Sequence, residues 1–182
     1  MYKRITLLII FLIFIGLFAG IYYIKTYLQE GSLIIDIQER LKANPVNNLV
    51  SNYEILEQKD FKDVRIILYR YINNDNNLIG CTIYKRAPNQ RFKFLKSKLA
   101  NMGMGMDIIM THVKEKEKNE VYYLIHYGYV DDAGPNKYEI TIGNKSFIKE
   151  YKRNKSFIEL YSMGNDKISI RPIYDKDNEV TQ

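Results

Sequence analysis

The sequence predicts a mainly β protein: an N-terminal transmembrane helix, a short amphipathic helix, then an antiparallel β meander folded as a sandwich, a barrel or a curved sheet. Three observations predict it. An apolar run without a charged residue extends from Ile5 to Ile24. From Val64 onward hydrophobicity alternates with period two. Turns rich in Asn, Gly and Asp recur between the alternating segments and leave no room for long helices. Units of the βαβ kind are therefore excluded, and neighbouring strands are antiparallel because their connections are too short for a crossover.

The run comes first. From Ile5 to Ile24, at 1.5 Å per residue, it covers about 30 Å, the thickness of a bilayer's hydrocarbon core. Lys3 and Arg4 precede it and Lys25 follows, a bias that predicts the N-terminus inside and the remainder outside. Tyr22, Tyr23 and Tyr27 fall at the distal end, where amphipathic rings favour the headgroup level. A cleaved signal peptide is the competing reading. Its apolar segment is usually about 7–15 residues, and bulky Ile21 and Tyr22 follow Ala19 and Gly20, so an A-x-A-like site is poorly formed. The expected division is residues 1–4 as a cytoplasmic flank, 5–24 as a transmembrane helix, 25–45 as a juxtamembrane segment with a short helix, 46–174 as an extracytoplasmic β domain, and 175–182 as a disordered tail. The expected location is the cell membrane, single-pass, with the C-terminal domain outside.

Gly31 breaks the first helix. Leu33, Ile34, Ile37 and Leu41 fit a 3.6-residue period, and Pro45 is incompatible with its continuation, so a short amphipathic helix is expected over about 32–43. The stretch 47–59 reads equally as a short helix or a strand. Val64, Ile66 and Leu68 share one strand face; Arg65, Ile67, Tyr69 and Tyr71 share the other. Further strands are expected at 78–85, 91–98, 106–113, 121–127, 137–142, 145–151, 156–161 and 167–174, about nine in all. Hairpins recur without repeated signature residues, and the β part is too short for four propeller blades of about 40 residues each.

The net charge is +6 with the signs interspersed. That suits an anionic surface but lacks the concentrated basic patch of a nucleic-acid binder. Cys81 is the single cysteine, so no intrachain disulfide forms. It lies among Leu78, Ile79 and Ile83 and reads as a buried thiol.

Candidate chemistry is sparse. Met102, Met104 and Met106, with Met110 beyond, would share a face if extended; their thioethers, with His112, suit Cu(I), although a bend whose methionines fill an irregular gap explains them better. His112 and His126 are the only histidines, with neither a zinc cadence nor a nucleophile elbow beside them. Asp131 and Asp132 flank a turn without the cadence of a calcium loop. Arg91, Lys93, Lys96 and Lys98 interleave with Phe92, Phe94 and Leu95, and Lys145, Lys149, Lys152, Arg153 and Lys155 form a second basic group around Tyr151. Tyr122, Tyr123, Tyr127 and Tyr129 crowd one segment, a residue type favoured at interfaces.

The expected contact surface is Tyr122, Tyr123, Tyr127, Tyr129, Arg91, Lys93, Lys149 and Tyr151. No catalytic, cofactor or metal set is expected. The partners expected are the cell membrane, a membrane or envelope protein, and an anionic lipid or wall polymer, with no nucleic acid. The layout resembles that of many Gram-positive envelope proteins, a resemblance of layout and composition with no motif behind it. The function expected is a membrane-anchored extracytoplasmic binding or accessory protein of the cell envelope, more in keeping with a non-enzyme. A wall- or lipid-directed hydrolase and a scaffold subunit of a secretion or conjugation complex are the alternatives.

Overall fold

Alternating apolar residues bounded by polar turns form strands, and ten do so in the computed structural model, which describes residues 2–43, 52–73, 76–101, 106–116, 119–164 and 166–174. They are β1 (Asn52–Phe61), β2 (Val64–Asn73), β3 (Asn76–Arg86), β4 (Phe92–Asn101), β5 (Met106–Lys116), β6 (Asn119–Val130), β7 (Lys137–Ile142), β8 (Lys145–Glu150), β9 (Lys155–Ser162) and β10 (Ile168–Ile173). Two α-helices precede them, α1 (Tyr2–Thr26) and α2 (Leu33–Ala43). Of the stretch 47–59 left open between helix and strand, residues 52–59 belong to β1, and 47–51 lie outside the described residues.

The strands make three antiparallel sheets. Sheet A has the order β1-β2-β3-β4, sheet B β5-β6-β9, and sheet C β10-β7-β8. The expected simple meander is corrected. Only sheet A is one; β6 pairs with β9 across β7 and β8, which leave for sheet C, and β7 pairs with β10 across β8 and β9, of which β9 leaves for sheet B.

The period-two pattern of β2 decides how the layers stack. Val64, Ile66 and Leu68, with Ile79, Cys81 and Ile83 of β3, pack against Ile109, Tyr127 and Ile158 of sheet B. The opposite face, Ile67 and Tyr69 with Tyr84 and Phe92, lies under α2, which buries Leu33, Ile37 and Leu41 at the spacing read from the sequence. The Tyr84 hydroxyl donates to Asp36 Oδ2 at 2.8 Å and anchors the helix. Tyr69 lies opposite Gly80 in the ladder, and its ring occupies the space a β-carbon would take there.

Sheets A and B form an open sandwich. Their edges approach along β1/β9 and β4/β5, where lysines span the gap. Lys59 Nζ donates to the Ile158 carbonyl at 2.6 Å, and Lys98 Nζ donates to Asp107 Oδ1 at 2.7 Å and to the Ile108 carbonyl at 3.1 Å. Among the described residues no ladder closes either seam, which excludes the barrel.

The transmembrane expectation is corrected too. Among the described residues no helix is long and apolar enough to cross a membrane. The side chains described on the apolar part of α1, from Ile9 to Ile24, are all exposed. The transmembrane helix, the single-pass topology and the cell-membrane location with an outside domain are set aside with it. So is the role as an anchored envelope protein.

A repeat escapes the sequence reading. Asn144-Lys145-Ser146-Phe147-Ile148 recurs as Asn154-Lys155-Ser156-Phe157-Ile158, each followed by a tyrosine at the same offset, Tyr151 and Tyr161. The first copy forms β8 at the edge of sheet C; the second forms β9 at the edge of sheet B. The two copies meet face to face, running in opposite directions. Phe147 faces Tyr161 with ring centroids 6.5 Å apart, Lys149 Nζ meets Glu159 Oε1 at 3.1 Å, and Tyr151 stacks on Phe157 at 3.8 Å. Their other faces differ. Ile158 is 2% exposed in the core and Ile148 is 66% exposed. Leu160 of the second copy packs on the same core, where the first copy carries Glu150. That one difference explains why the second copy is the buried strand.

The corner between the copies is held by Arg153, whose Nη1 donates to the carbonyls of Asp131, Asp132 and Gly134 at 3.1, 2.7 and 3.1 Å. The turn expected at 131–136 is therefore a structural anchor.

Candidate binding groove

Sheet B is apolar on both faces, and the two faces meet different fates. The face toward sheet A is sealed in the main core. The face toward sheet C is sealed only at one end, where Val130, Tyr138, Tyr151 and Phe157 form a smaller core with Met106 and Ile170 against it. Beyond that end Ile108 and Met110 of β5 and Tyr122 of β6 stand open, Met110 at 54% and Tyr122 at 57% exposed.

Two confluent hollows occupy this open end. One, of about 360 Å³, is lined by Leu95, Lys96, Met110, Thr111, His112 and Tyr122. The other, of about 520 Å³, adds Lys98, Ile108, Ile109, Leu124, Met163 and Ile168. They share Lys96 and Met110. The floor is aliphatic and thioether; the rim carries Lys96, Lys98 and the T-shaped pair of His112 and Tyr122, with ring centroids 6.2 Å apart. Lys98 is engaged with Asp107, which also accepts from the Ile108 amide at 2.7 Å. The lysines lie on the β4 face that looks toward sheet B, because Lys96 sits opposite Ile83 and Lys98 opposite Cys81, both core residues. Inward-pointing charge on an edge strand also discourages unspecific edge pairing.

The other polar cluster is buried. His126 is fully buried among the rings of Tyr138, Tyr151 and Phe157, with centroids at 5.4, 5.6 and 4.8 Å. Its Nδ1 lies 3.2 Å from the Tyr151 hydroxyl and its Nε2 2.6 Å from Met106 Sδ. One neutral tautomer satisfies both contacts: Nδ1 accepts from the phenol and Nε2–H points at the thioether. Burial holds the imidazole down at about 4, because a charged ring would lack solvation there. A hydrolase needs an imidazole in line with a carboxylate and a hydroxyl. The imidazole of His126 instead meets a thioether and a phenol, and that of His112 lies against a tyrosine ring. Among the described residues no group of three His, Cys, Asp or Glu side chains is placed to hold a metal. Met102 and Met104 lie outside the described residues, and Met106 and Met110 are separated, one against His126 and the other in the groove. Cys81 is buried, and burial pushes its thiol far above the ordinary range.

The residues expected to make one contact surface are dispersed. Only Tyr122 lies in the groove. Tyr123 is buried at the end of the main core, its hydroxyl accepting from Lys62 Nζ at 2.7 Å. Tyr127 is fully buried, and Tyr129 is half-buried under Arg70. Arg91 lies over the Tyr23 ring at the base of α1, and Lys93 is exposed on β4. Lys149 and Tyr151 belong to the contact between the repeated strands. Successive residues of a strand point to opposite sides, so the tyrosine-rich segment was never one face. The groove residues Ile108, Met110 and Leu124 carried a signal of their own: β5 and β6 are apolar on both faces, which calls for cover on both.

Comparison with known proteins finds no family model, no curated protein and no solved structure that matches this chain.

Proposed function

We propose that this chain is a binding module whose working surface is the groove bounded by β4, β5 and β6. The observation that carries the reading is the half-covered outer face of sheet B. Contiguous apolar side chains left open on a firmly paired sheet, with cationic groups at the rim, have the composition of a recognition site. The floor is preformed, because β5 and β6 are held by a long antiparallel ladder and by the core beneath them. The partner is amphipathic and carries negative charge, since its apolar part must cover Met110 and Tyr122 while its charge meets Lys96.

The test is a binding titration of the full chain, kept in solution by a mild detergent that covers the exposed side chains of α1, with detergent alone as the blank. Three probes are compared: a peptide alternating apolar and acidic residues, vesicles rich in an anionic phospholipid, and a polyphosphate polymer. At least one probe is expected to saturate, and Met110→Asp to weaken it roughly tenfold or more by placing a desolvated carboxylate on the floor. The charge reversal Lys152→Glu, at the distant corner between β8 and β9, is expected to leave binding unchanged. Saturation by none of the probes, or binding indifferent to Met110→Asp, overturns the reading.

A further inference from the structure

The groove has a feature that a pocket for a compact molecule does not need. Its wall includes Ile108, Ile109, Met110, Thr111 and His112, five successive residues of β5. Side chains of successive strand residues point alternately to opposite faces, so a hollow that touches all five must run along the edge of the strand. Among the described residues no strand pairs with that edge. β5 is the last strand of sheet B, its one ladder is with β6, and β4 across the seam is the last strand of sheet A. The two edges are tied at one end by Lys98, which reaches Asp107 and the Ile108 carbonyl. From there toward Leu95 and His112 the seam widens into the hollows.

An unpaired strand edge presents a row of amide donors and carbonyl acceptors, which an extended chain satisfies by adding as a further strand. From this geometry we infer that the partner is an extended segment of another protein, which adds to the free edge of β5 as a strand. Its alternate side chains meet two different surroundings. One set lies over Met110 and Tyr122 and is apolar. The other approaches Lys96 of β4 and is acidic, which complements the lysine left over once Lys98 is held by Asp107. Main-chain hydrogen bonds supply affinity without regard to sequence, and the alternation supplies selectivity. The inference rests on the groove being the working surface, and it names what fills it.

The probe is a synthetic peptide of alternating apolar and acidic residues, compared with two versions that carry N-methyl groups on one or the other alternate set of backbone amides. Methylation removes main-chain donors and leaves the side chains intact. Binding is measured on the full chain together with amide hydrogen exchange. The unmodified peptide is expected to bind, to slow exchange at least tenfold at alternate amides from Ile109 to His112, beyond the Ile108 amide that Asp107 already holds, and to lose binding roughly tenfold in one methylated version but not in the other. Lys96→Glu is expected to weaken the acidic peptide and to strengthen one whose acidic positions are lysine. A peptide that binds in a Met110-dependent manner with no added protection in β5, and with both methylated versions equally potent, overturns strand addition while leaving the groove as a binding surface. No binding by any peptide, with vesicles or polyphosphate saturating the groove instead, overturns the peptide class. Silence from every probe overturns both the inference and the reading beneath it.

Discussion

Acid should weaken this fold through one imidazole. His126 is neutral in the folded chain, with its ring held at about 4, against an ordinary value of 6.5. The unfolded chain takes up the proton near 6.5, whereas the native chain resists until about 4. Between those values the unfolded state binds more protons, so stability falls as pH falls through that window and levels off below it. The difference of about 2.5 units, at 1.36 kcal/mol per unit, corresponds to about 3 kcal/mol. The groups facing the ring favour this sign: Tyr138, Tyr151 and Phe157 present rings and a phenol, and Met106 a thioether. The nearest carboxylate on the adjoining strand, Glu159 opposite His126 in the ladder, is engaged by Lys149. The assay is urea unfolding at pH 7.5, 6, 5 and 4, run in parallel on His126→Phe, which keeps a ring but does not titrate. Carboxylates titrate in both proteins, so the difference between them isolates the histidine. The variant is expected to begin about 1–2 kcal/mol less stable at pH 7.5, because the Tyr151 hydroxyl loses its partner, and to overtake the natural protein toward pH 4. Parallel stability curves across the whole range would refute the reasoning.

The remaining predictions concern packing. Gly80→Ala places a β-carbon 2.2 Å from Cζ of the buried Tyr69 ring and should cost about 1–3 kcal/mol in chemical denaturation, because that ring is packed beneath α2; a cost near zero would show that the ring swings aside. Leu160→Glu should destabilise by about 2–4 kcal/mol, since it puts a carboxylate against the main core, whereas the reciprocal Glu150→Leu on exposed β8 should stay within about 0.5 kcal/mol. Equal effects would contradict the account of why the two repeats take different places. Cys81 should resist thiol reagents in the native state and react at the rate of unfolding, measured with a chromogenic disulfide; rapid native labelling would contradict its burial.

Strands were legible where alternation and turn chemistry agree. The split of Val64, Ile66 and Leu68 from Ile67 and Tyr69 carries over directly to the two faces of sheet A, and Leu33, Ile37 and Leu41 to the buried stripe of α2. Pairing was not legible, because local pattern makes a strand but does not choose its neighbour. β9 sits beside β6 since Ile158 and Leu160 fit the main core, a fact of distant packing. The NKSFI repeat was missed because its ten-residue spacing is shorter than a hairpin, the unit in which repetition was sought. The run at Ile5–Ile24 does form a helix, within α1, but among the described residues no helix is long and apolar enough to cross a membrane. At the site, grouping Tyr122 with Tyr123, Tyr127 and Tyr129 overlooked the alternation that sends three of them the other way. The groove itself depends on where the cover of sheet C stops, and no local pattern encodes that.

The measurement that tests the central claim most directly is an amide NMR titration of the full chain with the acidic–apolar peptide. The account expects shifts clustered on Lys96, Ile108 to His112, Tyr122 and Leu124, with the repeat contact at Lys149 and Tyr151 unmoved. Shifts confined to β8 or to the base of α1, or none at saturating peptide, would contradict it.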